Sequence, residues 1–147
     1  MSDQQPVDSP VGWVKEHIDD YERSGGEEGR DGHMWRGAPT LLITMTGRRT
    51  GTRRRTALIY GQDGDSYVVV ASKGGAPKHP AWFLNLKANP DVEIQVGPRT
   101  LRARARVAEP QEKARLWPMM TRIWPAYDQY QRKTDRDVPV VVLDPVQ

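Results

Sequence analysis

TLLITMTGRRTGTRRRTALIYGQDGDSYVVVAS, residues 40–72, is the stretch that decides the fold of this chain. Its apolar segments LLITM, ALIY and YVVVA are rich in the β-branched and aromatic side chains that favour strands. The second break between these segments, GQDGD, contains Asp-Gly, which is typical of a tight hairpin turn. The stretch therefore predicts three consecutive strands of a largely antiparallel sheet.

The first break, TGRRTGTRRR, is strongly basic. Its five arginines are Arg48, Arg49, Arg53, Arg54 and Arg55. Guanidinium groups crowded at one corner of a sheet repel one another unless solvent screens them or an anion binds there. The break is therefore either a solvated basic loop, as most charge runs are, or an anion site. In an anion site, guanidinium forks would hold phosphate oxygens, and the glycines would let the backbone approach closely.

Composition restricts the class of protein. The chain has 147 residues, enough for one domain, and no apolar run is long enough to span a bilayer. The lack of cysteine excludes disulfides and thiolate chemistry. His17, His33 and His79 are too far apart in the sequence for a zinc motif, so we predict no metal. The N-terminus has no apolar signal-peptide core, which predicts a cytoplasmic protein.

Three regions follow from the pattern along the chain. Residues 1–10 are polar and predicted to be disordered, and residues 11–35 are predicted to hold an amphipathic helix and a mobile, glycine-rich linker. The apolar positions of that helix are Val11, Val14, Ile18 and Tyr21. The helix either packs on its own domain, lies against a membrane or covers a pocket. Residues 36–147 are predicted to form the main domain.

The second half of the chain alternates helices and strands less regularly than a βαβ protein does. We predict a helix from Pro80 through AWFLNLKAN, strands near residues 91–97 and 101–107, two helices between residues 111 and 133, and a closing strand, VPVVVLD. The resulting order, β-β-β-α-β-β-α-α-β, lacks regular βαβ units. It predicts a mainly β protein with helices (α+β), built as an antiparallel barrel.

Candidate chemistry lies close to these elements. The glycines of SKGG precede a helix N-terminus that can receive an anion, and Lys78 and His79 add a positive pair. Asn85 needs a hydrogen-bonding partner, because it lies in an otherwise apolar helix. Tyr127 and Tyr130 are three residues apart and share one helical face. Together with the arginines, these features predict a site for a flat, negatively charged cofactor.

Three motifs of this chain resemble one known family. TGRRTGTRRRTAL, ASKGGAPKHPAWFLNLKANPDVEIQVG and WPAYDQYQRKTDRDVPVVVLDP are similar, in this order, to segments of the deazaflavin (coenzyme F420)-dependent nitroreductases and quinone reductases of actinobacteria. The resemblance covers residues 13–145. It implies a split β-barrel, like that of flavin-mononucleotide (FMN)-binding proteins, with the deazaflavin in a groove. It also implies hydride transfer from C5 of the reduced deazaflavin to a quinone, a nitro compound or an activated enone.

The resemblance also implies which residues act. Ser72, Tyr127 and Tyr130 would be catalytic, because they would lie on the substrate side and hydrogen-bond the substrate oxygen or relay a proton. The cofactor phosphate and acidic tail would be held by the arginine segments and Lys73. The implied cofactor-binding residues are Arg48, Arg49, Thr50, Arg54, Arg55, Thr56, Ala57, Leu58, Ile59, Val70, Ala71, Ser72, Lys73, Ala81, Trp82, Phe83, Leu84, Asn85 and Tyr127. Trp124 stands where some members have a tyrosine.

The motifs leave alternative functions open. An FMN-dependent oxidoreductase on the same barrel, or a non-catalytic F420 carrier, would need the same arginines. A nucleic-acid module would combine them with Arg102, Arg104 and Arg106, but aromatic residues are not interleaved with these charges, so we predict no nucleic-acid partner. The expected partner is a small-molecule oxidant. The chain would act as a monomer or homodimer, with peripheral membrane contact through the N-terminal helix as a further option.

Overall fold

The computed structural model describes residues 7–8, 16–19, 21–22, 34–35 and 37–146. The strands are β1 (Val7–Asp8), β2 (Met34–Trp35), β3 (Ala38–Thr46), β4 (Arg53–Ile59), β5 (Gly61–Asp63), β6 (Ser66–Val70), β7 (Asp91–Val96), β8 (Arg99–Val107) and β9 (Val140–Pro145). The helices are α1 (residues 16–19 and 21–22), α2 (Ala81–Ala88), α3 (Pro110–Ile123) and α4 (Ala126–Lys133), and Lys73–Gly75 form a 3-10 turn.

The described strands form one curled sheet. Its order is β1-β4-β3-β7-β8-β9-β6-β5, and β2 pairs with β3 outside this path. All pairs are antiparallel except β1 with β4. From β3 onward the elements follow the predicted order with the short strand β5 added, and the short strands β1 and β2 precede them. The predicted α+β class and largely antiparallel sheet are confirmed.

Side chains alternate across the sheet and fill separate cores on its two faces, as expected for strands. Leu41, Ile43 and Met45 of β3 point into the main core with residues of β6, β7, β8, β9 and α2. Leu42 points the other way, towards α1, and packs with Ala57. A further cluster joins the outer face of β6 and β9 to α3 and α4. The helices therefore cover the outside of the curled sheet at two places.

Helix α1 is docked on the sheet. Ile18 and Tyr21 are fully buried, and the Tyr21 hydroxyl donates to the Gln95 carbonyl at 3.1 Å and accepts from the Gly97 N–H at 2.6 Å. Burial raises the pKa of Tyr21 to about 12, so its hydroxyl keeps its proton. Ile18 and Tyr21 are therefore covered by the domain and unavailable to a membrane. None of the helices in the described residues is long and apolar enough to cross one.

Part of the N-terminal predictions falls outside the described residues. Val11, Val14 and the predicted linker SGGEEGRDG, residues 24–32, are not described. Val7–Asp8 form β1, which pairs with Arg54 and Arg55 of β4. The predicted disorder of residues 1–10 stays a prediction.

The three apolar segments suggest that the Asp-Gly turn joins ALIY to YVVVA. In the structure it joins the short strand β5 to β6. Gly64, at φ +61°, connects β5 to β6, with Asp63 opposite Ser66. ALIY belongs to β4, which lies near the other end of the sheet order. The chain passes between the two ends at Gly61, where an added Cβ would lie 2.8 Å from Met120 Sδ of α3. The hairpin is confirmed, but its first strand is β5 rather than β4, because the chain turns at Gly61 and leaves β4 at the other end of the sheet order.

Candidate anion-binding cleft

A cleft of about 460 Å³ lies where the arginine-rich turn after β3 meets the segment before α2. It is lined by Arg48, Lys73, Pro77, Lys78, His79, Ala81, Leu84 and Arg136. Four of these side chains are cationic and none is acidic. The cleft therefore unites cations from three separate parts of the sequence, which is the composition that an anionic ligand requires.

Asn85 fastens the arginine-rich turn to α2. Its side-chain Oδ1 accepts hydrogen bonds from the Arg48 backbone N–H at 3.1 Å and from Arg48 Nη1 at 2.8 Å. Asn85 is buried, so this contact supplies the partner that its position in an apolar helix required. An amide oxygen carries no net charge. It therefore orients the Arg48 guanidinium without neutralising it.

The arginines of β4 point to opposite faces of the strand. Arg55 Nη1 forms an ion pair with Glu22 of α1, and Arg53 Nη2 lies 3.7 Å from Glu93 Oε1. Arg54 alternates with them and stands opposite Met45, on the side of the main core. Within the described residues, Arg54 makes no ion pair. Two of the arginines are therefore neutralised and the third is not.

The other cofactor-binding residues predicted on this hairpin also lie on both faces of β4 or in the turn before it. Ala57 is buried beneath α1, whereas Leu58 packs on the main core. Thr56 lies opposite Ile43, and Ile59 opposite Thr40. Arg49 and Thr50 are exposed in the turn. Of the residues predicted on the hairpin, only Arg48 lines the cleft.

The Ser72–Gly75 segment is a tight turn with an unusual backbone. Lys73, Gly74 and Gly75 have φ values of +47°, +63° and +83°. Lys73 is the only non-glycine residue with positive φ in the described part of the chain, a conformation that costs free energy for a side chain with Cβ. An added Cβ on Gly75 would lie 2.7 Å from the Tyr130 carbonyl oxygen. Gly75 therefore lets α4 approach the turn, which brings the tyrosine helix beside Ser72.

The two predicted catalytic tyrosines occupy different environments. Tyr127 is buried in the cluster beneath α3 and α4, with its ring 6.3 Å from that of Trp117. Burial raises its pKa, so the hydroxyl is protonated, and it makes no hydrogen bond within the described residues. Tyr130 is half-buried, and Trp124 Nε1 lies 3.5 Å from its hydroxyl. Neither tyrosine lines the cleft, although α4 packs beside it.

Helix α2 and the end of β6 supply both the wall of the cleft and its support. Ala81 and Leu84 line the cleft, whereas Phe83 is buried in the main core and Trp82 is partly buried against it. The end of β6 is also buried. Val70 packs beneath α3 and α4, Ala71 in the main core, and Ser72 is 7% exposed. Val70 and Ala71 therefore contribute support rather than exposed side chains.

Arg136 is a cleft residue that sequence reasoning missed. Its guanidinium donates to the carbonyl oxygens of Ala71 at 3.2 Å, Ser72 at 2.7 Å and Ala76 at 2.9 Å. It also reaches His79 Nδ1 at 3.1 Å. The polar stretch RKTDRD carries no periodicity or motif that distinguishes this arginine from its neighbours. Its partners precede it by 57 to 65 positions in the sequence, so only the folded chain brings them together.

His79 differs from its predicted role as one of a positive pair. Burial and the charges of Arg136 and Lys87 lower the pKa of His79 from its ordinary value of 6.5. The imidazole is therefore neutral at neutral pH, and Lys78 alone carries positive charge in that pair. The correction follows from burial of His79 and from the approach of Arg136, 57 residues later in the sequence.

Comparison with known proteins agrees with the predicted family. The family model described as F420H(2)-dependent quinone reductase matches residues 13–145. An F420H(2)-dependent quinone reductase of Mycobacterium tuberculosis is 48% identical over 122 residues, covering 80% of this chain and 82% of that protein. These matches confirm the predicted F420-dependent reductase and its cofactor.

Solved structures agree with the predicted split barrel. An F420-H2-dependent reductase (FDR-A) has a TM-score of 0.68 at 41% identity, covering 72% of this chain and 94% of that chain. A chain described as a domain-swapped dimer has a TM-score of 0.70 at 38% identity, covering 92% and 100%. The haem storage protein HutZ of Vibrio cholerae, at 17% identity and a TM-score of 0.56 over 91% of each chain, shares the fold alone. The chain therefore belongs to the family of F420H(2)-dependent quinone reductases.

Proposed function

We propose that this chain binds reduced F420 through the basic cleft and reduces quinones beside the Ser72 turn and α4. The observation that supports the proposal is the charge of the cleft. Arg48, Lys73, Lys78 and Arg136 line it, and none of its lining residues in the described part of the chain is acidic. Every ion pair seen within the described residues involves other basic side chains. The cleft thus keeps a positive charge that an anionic cofactor can neutralise.

The residues of the cleft fit the phosphate and acidic tail of F420. Arg48 keeps donors beyond the one that Asn85 accepts, and the lysines supply ammonium groups. A hydrogen bond to a charged group contributes about 1.5–3 kcal/mol net. Two or three such bonds would therefore dominate the affinity for the cofactor. The volume of about 460 Å³ also lies in the range of small-molecule sites.

The protein's own contribution is positioning and proton donation. When bound, the reduced deazaflavin supplies two electrons to the substrate as a hydride. Cleft cations hold the anionic end of the cofactor, while the Ser72 turn and α2 limit where its ring can lie. The Tyr127 hydroxyl stays protonated because burial raises its pKa, and it makes no hydrogen bond within the described residues. We assign Tyr127, Tyr130 and Ser72 as donors to the substrate oxygen, where negative charge develops.

Nitro compounds and activated enones are proposed as further substrates. Like a quinone, each presents an electron-poor centre to a hydride and an oxygen to a hydrogen-bond donor. The same tyrosines and Ser72 would serve all three classes. The ratio of kcat/KM values among a quinone, a nitroarene and a cyclohexenone measures how far this chain discriminates between them.

Turnover and binding measurements test the proposal. Purified protein should oxidise reduced F420 when menadione is added, followed by the absorbance of oxidised F420. Fluorescence titration should give tighter binding of F420 than of FMN. Binding without turnover across the three substrate classes would support a carrier, and preferential FMN binding would support the alternative cofactor. Tyr127→Phe should lower kcat while leaving the Kd for F420 within about twofold, because it removes only the hydroxyl.

We also propose a homodimer in which the N-terminal strand is exchanged. The relative described as a domain-swapped dimer motivates this, together with the position of β1 at the end of the sheet order. The β1–β4 pairing could be made within one chain or between two copies with the same backbone bonds. Light scattering should give twice the chain mass of 16.7 kDa. A mass equal to one chain at micromolar concentration would contradict the proposal.

A further inference from the structure

The guanidinium of Arg136 lies at the centre of the segment that forms one wall of the cleft. Nη2 donates to the Ser72 carbonyl at 2.7 Å, Nε to the Ala76 carbonyl at 2.9 Å and Nη1 to the Ala71 carbonyl at 3.2 Å. These carbonyls lie on both sides of the turn in which Lys73 adopts positive φ. Arg136 makes no ion pair within the described residues. Its hydrogen bonds therefore organise the segment and leave its charge uncancelled.

The fourth contact of Arg136 determines the proton position on His79. Arg136 Nη1 lies 3.1 Å from His79 Nδ1. A guanidinium can only donate, so Nδ1 must accept with its lone pair. The proton of the neutral ring is then on Nε2. The His79 ring lines the cleft, and its centroid lies 4.8 Å from that of the Phe83 ring. Its Nε2 makes no hydrogen bond within the described residues.

The charged groups around His79 all favour its neutral form. Arg136 approaches it from the segment before β9, and Lys87 from α2. Lys78 precedes it in the chain, and Arg48 and Lys73 line the same cleft. Among the residues that the structure describes, no acidic side chain lines this cleft. Protonation of His79 would add a cation among these groups and would break the bond at Nδ1.

We propose that Arg136 is the positioning residue of this cleft and that it presents His79 to the ligand as a neutral Nε2–H donor for an anionic oxygen. The inference rests on the proposed function of the cleft as the F420 site. Lysines can bind such an oxygen from many directions, because the ammonium group rotates freely. The His79 N–H has one direction, which the Nδ1 contact sets. Arg136 therefore adds orientation to a site that already has charge.

Nitrogen-15 NMR of the cofactor-free protein tests the first half of this proposal. His79 of the wild type should be the Nε2–H tautomer and titrate below its ordinary pKa of 6.5. Arg136→Met should give a mixture of tautomers and a higher pKa for His79. The matched control is Arg106→Met, which removes another arginine with several hydrogen bonds and should leave the His79 signals unchanged.

F420 affinity, measured by fluorescence titration, tests the second half. Arg136→Met should raise the Kd at least tenfold, and Arg106→Met should change it less than twofold. His79→Phe should raise the Kd by a factor of about ten to thirty, since one hydrogen bond to an anionic oxygen is lost. In the double variant, the loss should be smaller than the product of the two single losses, because Arg136 acts partly through His79.

Several results would overturn the proposal. One is a wild-type His79 with its proton on Nδ1, which needs no variant to detect. Others are unchanged His79 signals in Arg136→Met, or affinity losses that multiply fully in the double variant. If Arg136→Met does not fold, Arg136→Gln replaces it, and an unchanged tautomer population there contradicts the proposal, because an amide can accept as well as donate. Wild-type protein that fails to bind F420 would refute the proposed function instead, while the tautomer result would stand.

Discussion

Arg106 and Arg136 both make several hydrogen bonds, but to chemically different partners. Arg106 binds two carboxylates, with Nε 2.7 Å from Asp144 Oδ2 and Nη1 2.6 Å from Glu112 Oε1. Arg136 binds three carbonyl oxygens and a neutral imidazole. The carboxylates raise the pKa of Arg106, whereas burial lowers that of Arg136. One guanidinium is neutralised and the other is oriented with its charge intact.

The same contrast between carboxylate and neutral partners separates the basic residues of the cleft from those elsewhere in the molecule. Outside the cleft, Arg53, Arg55, Arg115 and Lys113 face carboxylates. Inside it, Arg48 binds the Asn85 amide. Carboxylates would compete with an anionic ligand for the cleft cations, whereas amide and carbonyl oxygens fix their positions without cancelling their charge. The partners of a basic residue therefore indicate whether it stabilises the fold or is available to a ligand.

The replacement Asn85→Asp gives Arg48 a carboxylate partner, like that of Arg106, and should have the largest effect on F420 affinity. The new carboxylate keeps the shape of the amide but adds a negative charge beside the ligand. At about 5 Å and an effective dielectric constant of about 20, this costs about 3 kcal/mol, roughly a hundredfold in F420 affinity. Fluorescence titration measures the loss. Asn89→Asp, at the C-cap of α2, adds the same charge one helical turn away and should change the Kd less than threefold.

Arg48→Ala removes a cleft cation and is compared with Arg104→Ala, which removes a cation paired with Asp91. We expect a tenfold to thirtyfold rise in the Kd of F420 for the first, or about 1.5–2 kcal/mol, because one charge-assisted bond is lost. The second variant should bind almost normally. Both Kd values should be measured at low and high salt. Equal losses in the two variants would show that net charge, rather than the cleft, controls binding.

Lys73→Gly separates the charge of Lys73 from its backbone strain. Glycine adopts φ +47° easily, whereas a residue with Cβ pays about 1 kcal/mol in this region. The free energy of unfolding in urea should therefore remain equal or rise by less than about 1 kcal/mol. The Kd for F420 should rise threefold to tenfold, because an ammonium group is lost. Lys78→Gly is the matched variant. It should weaken binding similarly while lowering stability, since Lys78 has no positive φ to relieve.

Glu112→Gln should have the smallest effect, and only on stability. Hydrogen bonds from Arg106 lower the pKa of Glu112 from its ordinary value of 4.5. The stabilisation is therefore present above pH 4.5 and lost as the pH falls through the lower pKa of the folded state. The pair is partly exposed, so the variant should lose less than about 1 kcal/mol at pH near 7. Urea unfolding at neutral pH and near pH 3 should show this difference shrinking in acid, with F420 affinity unchanged.

Much of the fold could be predicted because its signals are local. Alternating apolar residues identified β8, and the Asp-Gly turn identified the hairpin that begins with β5. The pairing of β4 with β3 follows from the arginine-rich turn between them. The separation of β4 from β6 could not be read in the same way, because it depends on the turn of the chain at Gly61, which packs against α3. In the site, Arg48 and Asn85 were both named from the sequence, but their bond to each other was not. Arg136 was missed entirely.

The sequence by itself determined the element order, the basic character of the hairpin and, through three motifs, the family. These properties depend on residue type and spacing, which short segments carry with them. Only the tertiary structure decided which basic side chains meet carboxylates and which meet neutral oxygens. Arg55 and Arg54 are neighbours of the same type, yet Glu22 neutralises one and no acid in the described residues reaches the other. Side-chain direction along a strand and the element packed across from it set that outcome, because ionic contacts act over only a few ångströms.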